Sequence, residues 1–397
     1  MSLKTDLFSN RLAHHYTKFD VANRLLFTGH SHQAWPDVAL DGMIEAFDVA
    51  ASKVDTKWDT VFQKISVMSD YLKQFYDDPD GHYTHCENTH HLIVRWLSAL
   101  DLRSKPRVVT TDTEFYSLYR QLTRLEEEGI EIVFVPALPL EGFAARMEAV
   151  LDEKTAAVML SRVYFEHSLI NIELPQVAKL CKEHGIPLMI DDYHGTNVVP
   201  ISVRESGLED AFVLIGGYKY MQWGEGNCFL RSPAKCEMRP IVTGWFSAFS
   251  SLKQPRSKQV NYDEGAWRFY GATFDGTSAF RGAAVTEFFS REGLSPKLLQ
   301  KMYAEHVAYM KYAFLKLDMD PQVIRLAHNY SLKYNAGFLA LRSPIAIRLF
   351  EELKTEGVLT DCRGEILRFG SAPYMTSRQI DRAFEILATI VKKEQKV

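Results

Sequence analysis

The chain has 397 residues, 46% of them hydrophobic and 24% charged. At about 150 residues per domain, that is enough for roughly two or three domains around substantial cores. Its 46 basic and 50 acidic side chains leave a formal charge of −4 and a pI near 6.4, which excludes the basic footprint of a dedicated nucleic-acid binder. No apolar run approaches the ~18 residues of a membrane span. Met1–Asp6 lead into no hydrophobic signal core, so a cytoplasmic protein without membrane or nucleic-acid partners is expected. The five cysteines, Cys86, Cys181, Cys228, Cys236 and Cys362, are widely spaced and form no C-x-x-C pair. They read as reduced, buried thiols.

From residue 107 onward, short β-rich runs alternate with helical patterns. Strands are predicted at 107–111, 131–135, 156–160, 187–191 and 212–215. Helices fall at 118–128, 143–151 and 175–184, the last stopped by Gly185. Strands of four or five almost wholly apolar residues suit a sheet covered on both faces, and alternation with helices makes it mainly parallel. The C-terminal third differs. A long helix at 296–317 precedes a strand at 339–341, a helix at 344–355, a strand at 366–369 and a final helix at 377–393 with Ser377 as its N-cap. The expected organisation is an N-terminal segment (1–36), a large α/β domain (37–285) and a small α+β domain (286–397).

Open parallel sheets bind ligands at the carboxyl ends of their strands. Two charged clusters fall there: Asp191-Asp192-Tyr193-His194 after the fourth predicted strand, and Gly216-Gly217-Tyr218-Lys219-Tyr220 after the fifth. Small residues permit close approach of a ligand, and flanking aromatics exclude water from a lysine amine that could condense with a carbonyl. His82, His85, Cys86, His90 and His91 crowd together, but no paired-Cys or His-Glu-x-x-His pattern supports a metal, so none is expected.

These segments resemble the lysine region of fold type I pyridoxal-phosphate (PLP) enzymes of the aminotransferase class V group, and are most similar to kynureninase. Tyr218-Lys219-Tyr220 and Asp191-x-x-His194 match in order. So do Phe27-Thr28-Gly29-His30-Ser31 with Pro36, Asn88-Thr89-His90, Phe115-Tyr116-Ser117, Gly244-Trp245-Phe246, Gly276-Thr277 and Arg368-Phe369-Gly370 with Ala372-Pro373. The resemblance runs from about residue 27 to the C-terminus. It implies a large domain with a mainly parallel sheet of seven-stranded type plus a smaller C-terminal domain.

The resemblance also assigns roles. Lys219 would hold the PLP aldehyde. Asp191 would keep the pyridine nitrogen protonated, since opposite charges ~4 Å apart at an effective dielectric of ~20 attract by about 4 kcal/mol, roughly three pK units. Strand alternation turns Asp192 to the opposite face. Phe115 would stack on the ring, and His194 would bond near the ring or phosphate. Tyr218, Trp245 and Thr277 would donate to the phosphate. Cys86 stands where the family has a Thr at the same turn. Thr277 commonly comes from the partner subunit, which implies a homodimer with shared sites. Arg368 would grip the substrate α-carboxylate, with His30 and Ser31 in the substrate-binding opening segment.

The chain departs from the family at the walls for an aromatic substrate. His30-Ser31-His32-Gln33 replace Asn-Ser-Leu-Gly, Ser247-Ala248 replace Gly-His, and Tyr193 is bulkier than the usual residue. The expected activity is kynureninase-like hydrolytic Cβ–Cγ cleavage, giving an anthranilate-type acid and L-alanine. The alternatives are a class V aminotransferase, a desulfurase or other PLP lyase, and a non-catalytic binding protein of the same fold.

Overall fold

The large sheet takes seven strands from the first three-fifths of the chain: β1 (His82–Cys86), β2 (Arg107–Thr111), β3 (Glu131–Val135), β4 (Thr155–Ser161), β5 (Leu188–Asp191), β6 (Phe212–Gly216) and β7 (Cys228–Ser232). The computed structural model describes residues 10–255 and 258–394. The strands pair in the order β1-β7-β6-β5-β4-β2-β3. β7 pairs antiparallel with both neighbours, and every other pair is parallel.

Side-chain alternation divides each strand between two cores. Val213 and Ile215 pack with Val158, Ile190 and Phe229 on one face, beneath α1 (Val38–Lys53), α2 (Lys57–Tyr76), α5 (Phe143–Glu148), α6 (Leu174–Glu183) and α7 (Thr277–Arg291). Phe212 and Leu214 pack with Ala157, Met189 and Leu230 on the other, beneath α3 (Thr89–Leu97) and α4 (Tyr116–Glu127). The apolar runs therefore report burial on both faces, as expected for a doubly covered sheet. β7 was not among the predicted strands, and neither was β1. Its sequence, His-Tyr-Thr-His-Cys, is polar, and it lies at the sheet edge with β7 as its one neighbour.

Beyond α8 (Pro296–Lys316), four antiparallel strands form a smaller sheet: β8 (Arg325–Leu326), β9 (Phe338–Arg342), β10 (Asp361–Arg363) and β11 (Ile366–Gly370), in the order β8-β9-β11-β10. Helices α9 (Ala346–Thr355) and α10 (Ser377–Glu394) cover its Leu339, Leu341, Leu367 and Phe369 face. The cap of α10 is Thr376 rather than Ser377. Thr376 Oγ1 accepts from Gln379 N at 3.3 Å, and Gln379 Oε1 accepts from Thr376 N at 2.9 Å, a reciprocal capping box. The segment from Leu25 is stitched to this domain. Leu25 and Leu26 pair parallel with Val358 and Leu359, and Gly370 N donates to Phe27 O at 2.7 Å. Among the described residues, no helix is long and apolar enough to cross a membrane.

Candidate active site

The parallel strands of the large sheet end on one edge, and β7, running the opposite way, begins there. Cys228 pairs with both Gly216 and Cys86 at that edge. A cavity of about 280 Å³ opens there, bounded by Phe115, Tyr193, His194, Lys219 and the start of α3. The glycines after β6 are required by close packing. A Cβ on Gly216 would fall 1.8 Å from Tyr193 Cζ, and one on Gly217 would fall 2.3 Å from the Asn227 carbonyl oxygen. The Gly-Gly pair lets the chain turn under two neighbours and send Lys219 into the cavity.

Lys219 is only 5% exposed. Its Nζ lies 2.7 Å from His194 Nε2, 4.4 Å from the centre of the Tyr193 ring and 5.5 Å from that of Phe115. Burial lowers its pKa to about 7, against the opposing pull of Asp191 and with the help of Arg368. Desolvation, then the charges of Lys219 and Arg368, hold His194 well below the usual imidazole range. A neutral ring thus faces the amine, and its buried Nδ1 has no partner among the described residues.

Asp191 also lines this cavity. Desolvation raises its pKa, opposed by the Tyr193 N–H, which donates to Oδ1 at 2.9 Å, and by the charge of Lys219. Asp192 turns to the opposite face as expected. It pairs there with Arg162, whose Nη2 lies 2.9 Å from Oδ2, and accepts from the Tyr76 hydroxyl at 2.6 Å. The neighbouring carboxylates are thus sorted by strand alternation, and Asp191 is the one left facing the site.

The donor set fits PLP. Lys219 suits the aldehyde and Asp191 the ring nitrogen. Phe115 and Tyr193 supply aromatic walls. Tyr218 and the first turn of α3, where Asn88 Oδ1 caps His91 N at 2.9 Å, offer donors for a phosphate. Glu87 stands at the same end. Its carboxylate contacts His91 Nδ1 at 2.5 Å and accepts from Cys86 Sγ at 3.1 Å.

The other expected site residues are placed as follows. Cys86 is buried behind the α3 turn, its thiol raised to about 11 mainly by desolvation. Arg95 Nη1 donates to its Sγ at 3.2 Å. Among the described residues, Cys86, Glu87 and His91 bring ligand-type atoms within 4.8 Å of one another, but that guanidinium stands at the sulfur where a cation would have to bind. Arg368 is 3% exposed on the small sheet. It donates to Phe165 O at 2.5 Å and pairs with Asp361. His30 is fully buried against Phe338, its ring centre 4.6 Å away, with Nε2 3.6 Å from Asp361 Oδ2. Ser31 Oγ donates to Thr28 O at 3.0 Å within its own turn. His30 and Ser31 therefore stand behind the cavity wall. Trp245 is 42% exposed and donates to Thr273 Oγ1 at 3.2 Å, and Thr277 lines a separate pocket with Trp58 and Asp275. Neither reaches the Lys219 cavity of its own chain.

Sequence reasoning missed four contributors. Asp361 is visible only through its pairing across β10 and β11. Phe165 lies beyond β4 and meets Phe115 edge-on at 5.5 Å. Glu87 lies between Cys86 and the cap residue Asn88, and no pattern in the sequence marks it. Glu114 immediately precedes Phe115, and that adjacency was the one available signal.

No family model matches the chain. Curated relatives are distant. A mitochondrial cysteine desulfurase of Arabidopsis thaliana is 21% identical over 309 residues, 73% of this chain and 64% of that protein. Cysteine desulfurase IscS of Rickettsia massiliae is 24% identical over 159 residues, 39% of this chain and 38% of that protein. The match to the mitochondrial cysteine desulfurase of Candida albicans spans 32% of that relative's length at 23% identity, and 39% of this chain. Solved structures align over nearly the whole chain. C-DES with glycine covalently linked to its PLP cofactor gives a TM-score of 0.81 at 19% identity, covering 94% of this chain and 98% of that one. The cysteine desulfurase CsdA of Escherichia coli gives 0.78 at 11%, covering 97% and 98%. The chain therefore has the type I fold of PLP-dependent enzymes that the sequence resemblance implied, in the form shared with cysteine desulfurases and a C–S lyase.

Proposed function

We propose that the chain is a PLP-dependent enzyme acting on an amino acid, and that its reaction is cleavage of a carbon–sulfur bond on the β-carbon rather than kynureninase-like hydrolysis. The observation that carries the reading is the buried Lys219 amine, held 2.7 Å from His194 in a cavity that also contains Asp191. Bound there, PLP supplies an aldehyde for the substrate amine and an electron sink for charge developing at the α-carbon.

The chain's own groups do the rest. With a pKa near 7, Lys219 is substantially neutral at neutral pH and can remove the α-proton. His194 fixes the direction of its nitrogen. Asp191 would set its carboxyl group against the ring nitrogen, and Phe115 and Tyr193 would exclude water.

Three observations support sulfur over an aromatic ketone. The structural and curated neighbours are desulfurases and a protein described as a cystine C–S lyase. The cavity of about 280 Å³ is at the small end of the ~300–1,000 Å³ usual for ligand sites, which favours a short substrate side chain beside a cofactor. Tyr193 fills space that a smaller residue would leave open. The cysteines support a lyase over a desulfurase that carries sulfur on its own thiol. All five are free, and burial raises every one of their pKa values, with Cys228, which lines the cavity, at about 12.

β-Elimination then consumes water and releases a thiol or persulfide, pyruvate and ammonia. The kynureninase-like reading keeps support from Tyr218, which lines the cavity beside Lys219, as the family's Tyr-Lys-Tyr implies. Free thiols, buried at Cys86, Cys181 and Cys228 and partly exposed at Cys236 and Cys362, accord with a cytoplasmic protein, and a homodimer would let the partner subunit supply Trp245 and Thr277 to this cavity.

The test is to load the protein with PLP and look for a band near 420 nm that disappears on borohydride reduction and in Lys219→Ala. Cystine, cysteine and kynurenine are then supplied. Pyruvate with sulfide or persulfide supports the lyase. Alanine with anthranilate establishes the hydrolase, and consumption of a ketoacid acceptor the aminotransferase. A wild-type protein that never takes up PLP overturns the enzymatic reading.

A further inference from the structure

Thr111, Ser161 and Asp191 end β2, β4 and β5, three consecutive strands of the sheet. Ser161 is in direct register with Asp191. Glu114 lies over this row. It accepts from Thr111 Oγ1 at 2.5 Å, from Ser161 N at 3.0 Å and from Ser161 Oγ at 2.7 Å. It is buried and directly precedes Phe115, the cavity aromatic at the start of α4. We propose that Glu114 is a positioning residue of this site: it holds Ser161 and Phe115 in place and supplies a second carboxyl beside Asp191 at the ring-nitrogen end of the cavity. The inference rests on the PLP reading and deepens it.

Nothing in the local fold requires an acid here. Three donors at a buried acceptor are satisfied by a carboxylate, its partner Ser161 stands in register with Asp191, and the charge of Asp191 disfavours a second negative charge at Glu114. The titratable groups around it are Asp191, which raises its pKa, and Tyr164, which is affected in turn. Asp191 in turn feels the charge of Lys219, which lowers its pKa, and that of Asp192, which raises it. Desolvation, opposed by the Ser161 and Thr111 hydrogen bonds, brings Glu114 to about 7. Its charge state therefore changes within the working range. When it ionises, the added negative charge favours the protonated form of the cofactor–lysine linkage.

Holoprotein is titrated by absorbance from pH 5 to 10, following the band near 420 nm, for wild type, Glu114→Gln and Ser161→Ala. Glu114→Gln should lower the midpoint of the band by about half a pH unit or more, because a nearby negative charge is lost. It should lower kcat and leave KM largely unchanged. Ser161→Ala removes one tether, keeps the carboxyl, and should move the midpoint less. It also serves as the readout if Glu114→Gln does not fold, since a midpoint in Ser161→Ala identical to wild type would then overturn the inference. A folded Glu114→Gln that titrates like wild type also overturns it while leaving the PLP reading intact. Absence of any band in wild type overturns the PLP reading itself.

Discussion

Arg368 and Asp361 stand directly opposite each other on the paired strands β11 and β10, and their side chains form a buried ion pair on the face of the small sheet that carries Phe338 and Ala340. The arginine assigned by resemblance to the substrate carboxylate is thus already matched with a carboxylate of its own chain. Burial alone would raise the Asp361 pKa. The His30 contact and the charges of Arg368 and Arg363 outweigh it and hold the group well below the usual carboxylate range. Asp361 is therefore ionised wherever the protein is folded near neutrality, and Arg368 Nε is buried without a partner among the described residues.

Replacing Asp361 with Asn should leave a buried guanidinium uncompensated and cost about 3 kcal/mol of stability. If Arg368 reads the substrate α-carboxylate, an amino-acid ligand should raise the melting temperature of Asp361→Asn more than that of wild type, because it restores the missing anion. Equal protection of both proteins by the ligand, measured by thermal denaturation, would remove Arg368 from the substrate site.

The pH dependence of turnover follows from Lys219. Below about 7 its amine is protonated and cannot accept the α-proton, so kcat should fall as pH drops through that value and level off above it. Stopped-flow rates across pH 5.5 to 9 in mixed buffers give the profile. An ascending limb near 10, the value of an ordinary lysine, would show that burial does not set its basicity during catalysis.

Glu87 places a carboxylate at the phosphate end of the cavity. Repulsion of a dianion through partly solvated space amounts to about 1 kcal/mol, so Glu87→Gln should bind PLP roughly fivefold more tightly. Absorbance titration of apoprotein with PLP measures this. An unchanged dissociation constant would place the phosphate away from the start of α3.

Acid should destabilise the fold through its neutral, buried histidines. Desolvation, with the charge of Arg368, lowers His30 to about 3, and desolvation lowers His85 to about 4. Both values lie below the ~6.5 of an unfolded imidazole, so between about 4 and 6.5 the unfolded chain binds more protons than the native one. Stability is therefore present above about 6.5 and is lost as pH falls through that window. Chemical denaturation at pH 7.5 and 5.0 should show the loss, and His85→Asn should reduce it. A His85→Asn protein with the full wild-type dependence would count against the contribution of that ring.

Much of this molecule is readable from one dimension. The runs at 156–160 and 212–215 become strands because unbroken apolar residues of that length are buried in a sheet covered on both faces. Gly216-Gly217 mark a close turn because any Cβ there would strike Tyr193 or the Asn227 carbonyl. Asp191 is separated from Asp192 by alternation alone. β1 was not legible, since His82 to Cys86 have the polarity of a loop and form a strand only because β7 offers them a partner. The cap at Thr376 is displaced by one residue because Gln379, and not Ser377, completes the reciprocal hydrogen bonds.

The residue types, their order and the strand periods, all local properties of the chain, were sufficient to predict the five parallel strands from 107 to 216 and the two charged clusters that follow the last two of them. Distances between remote segments are not local. The pairing of Arg368 with Asp361, the seat of Glu114 over Ser161, the carboxylate of Glu87 at the start of α3, and the placement of Trp245 and Thr277 away from their own chain's lysine exist only after strands and domains have packed. Each depends on which side chains the completed fold brings within a few ångströms, and on how much water it removes from between them.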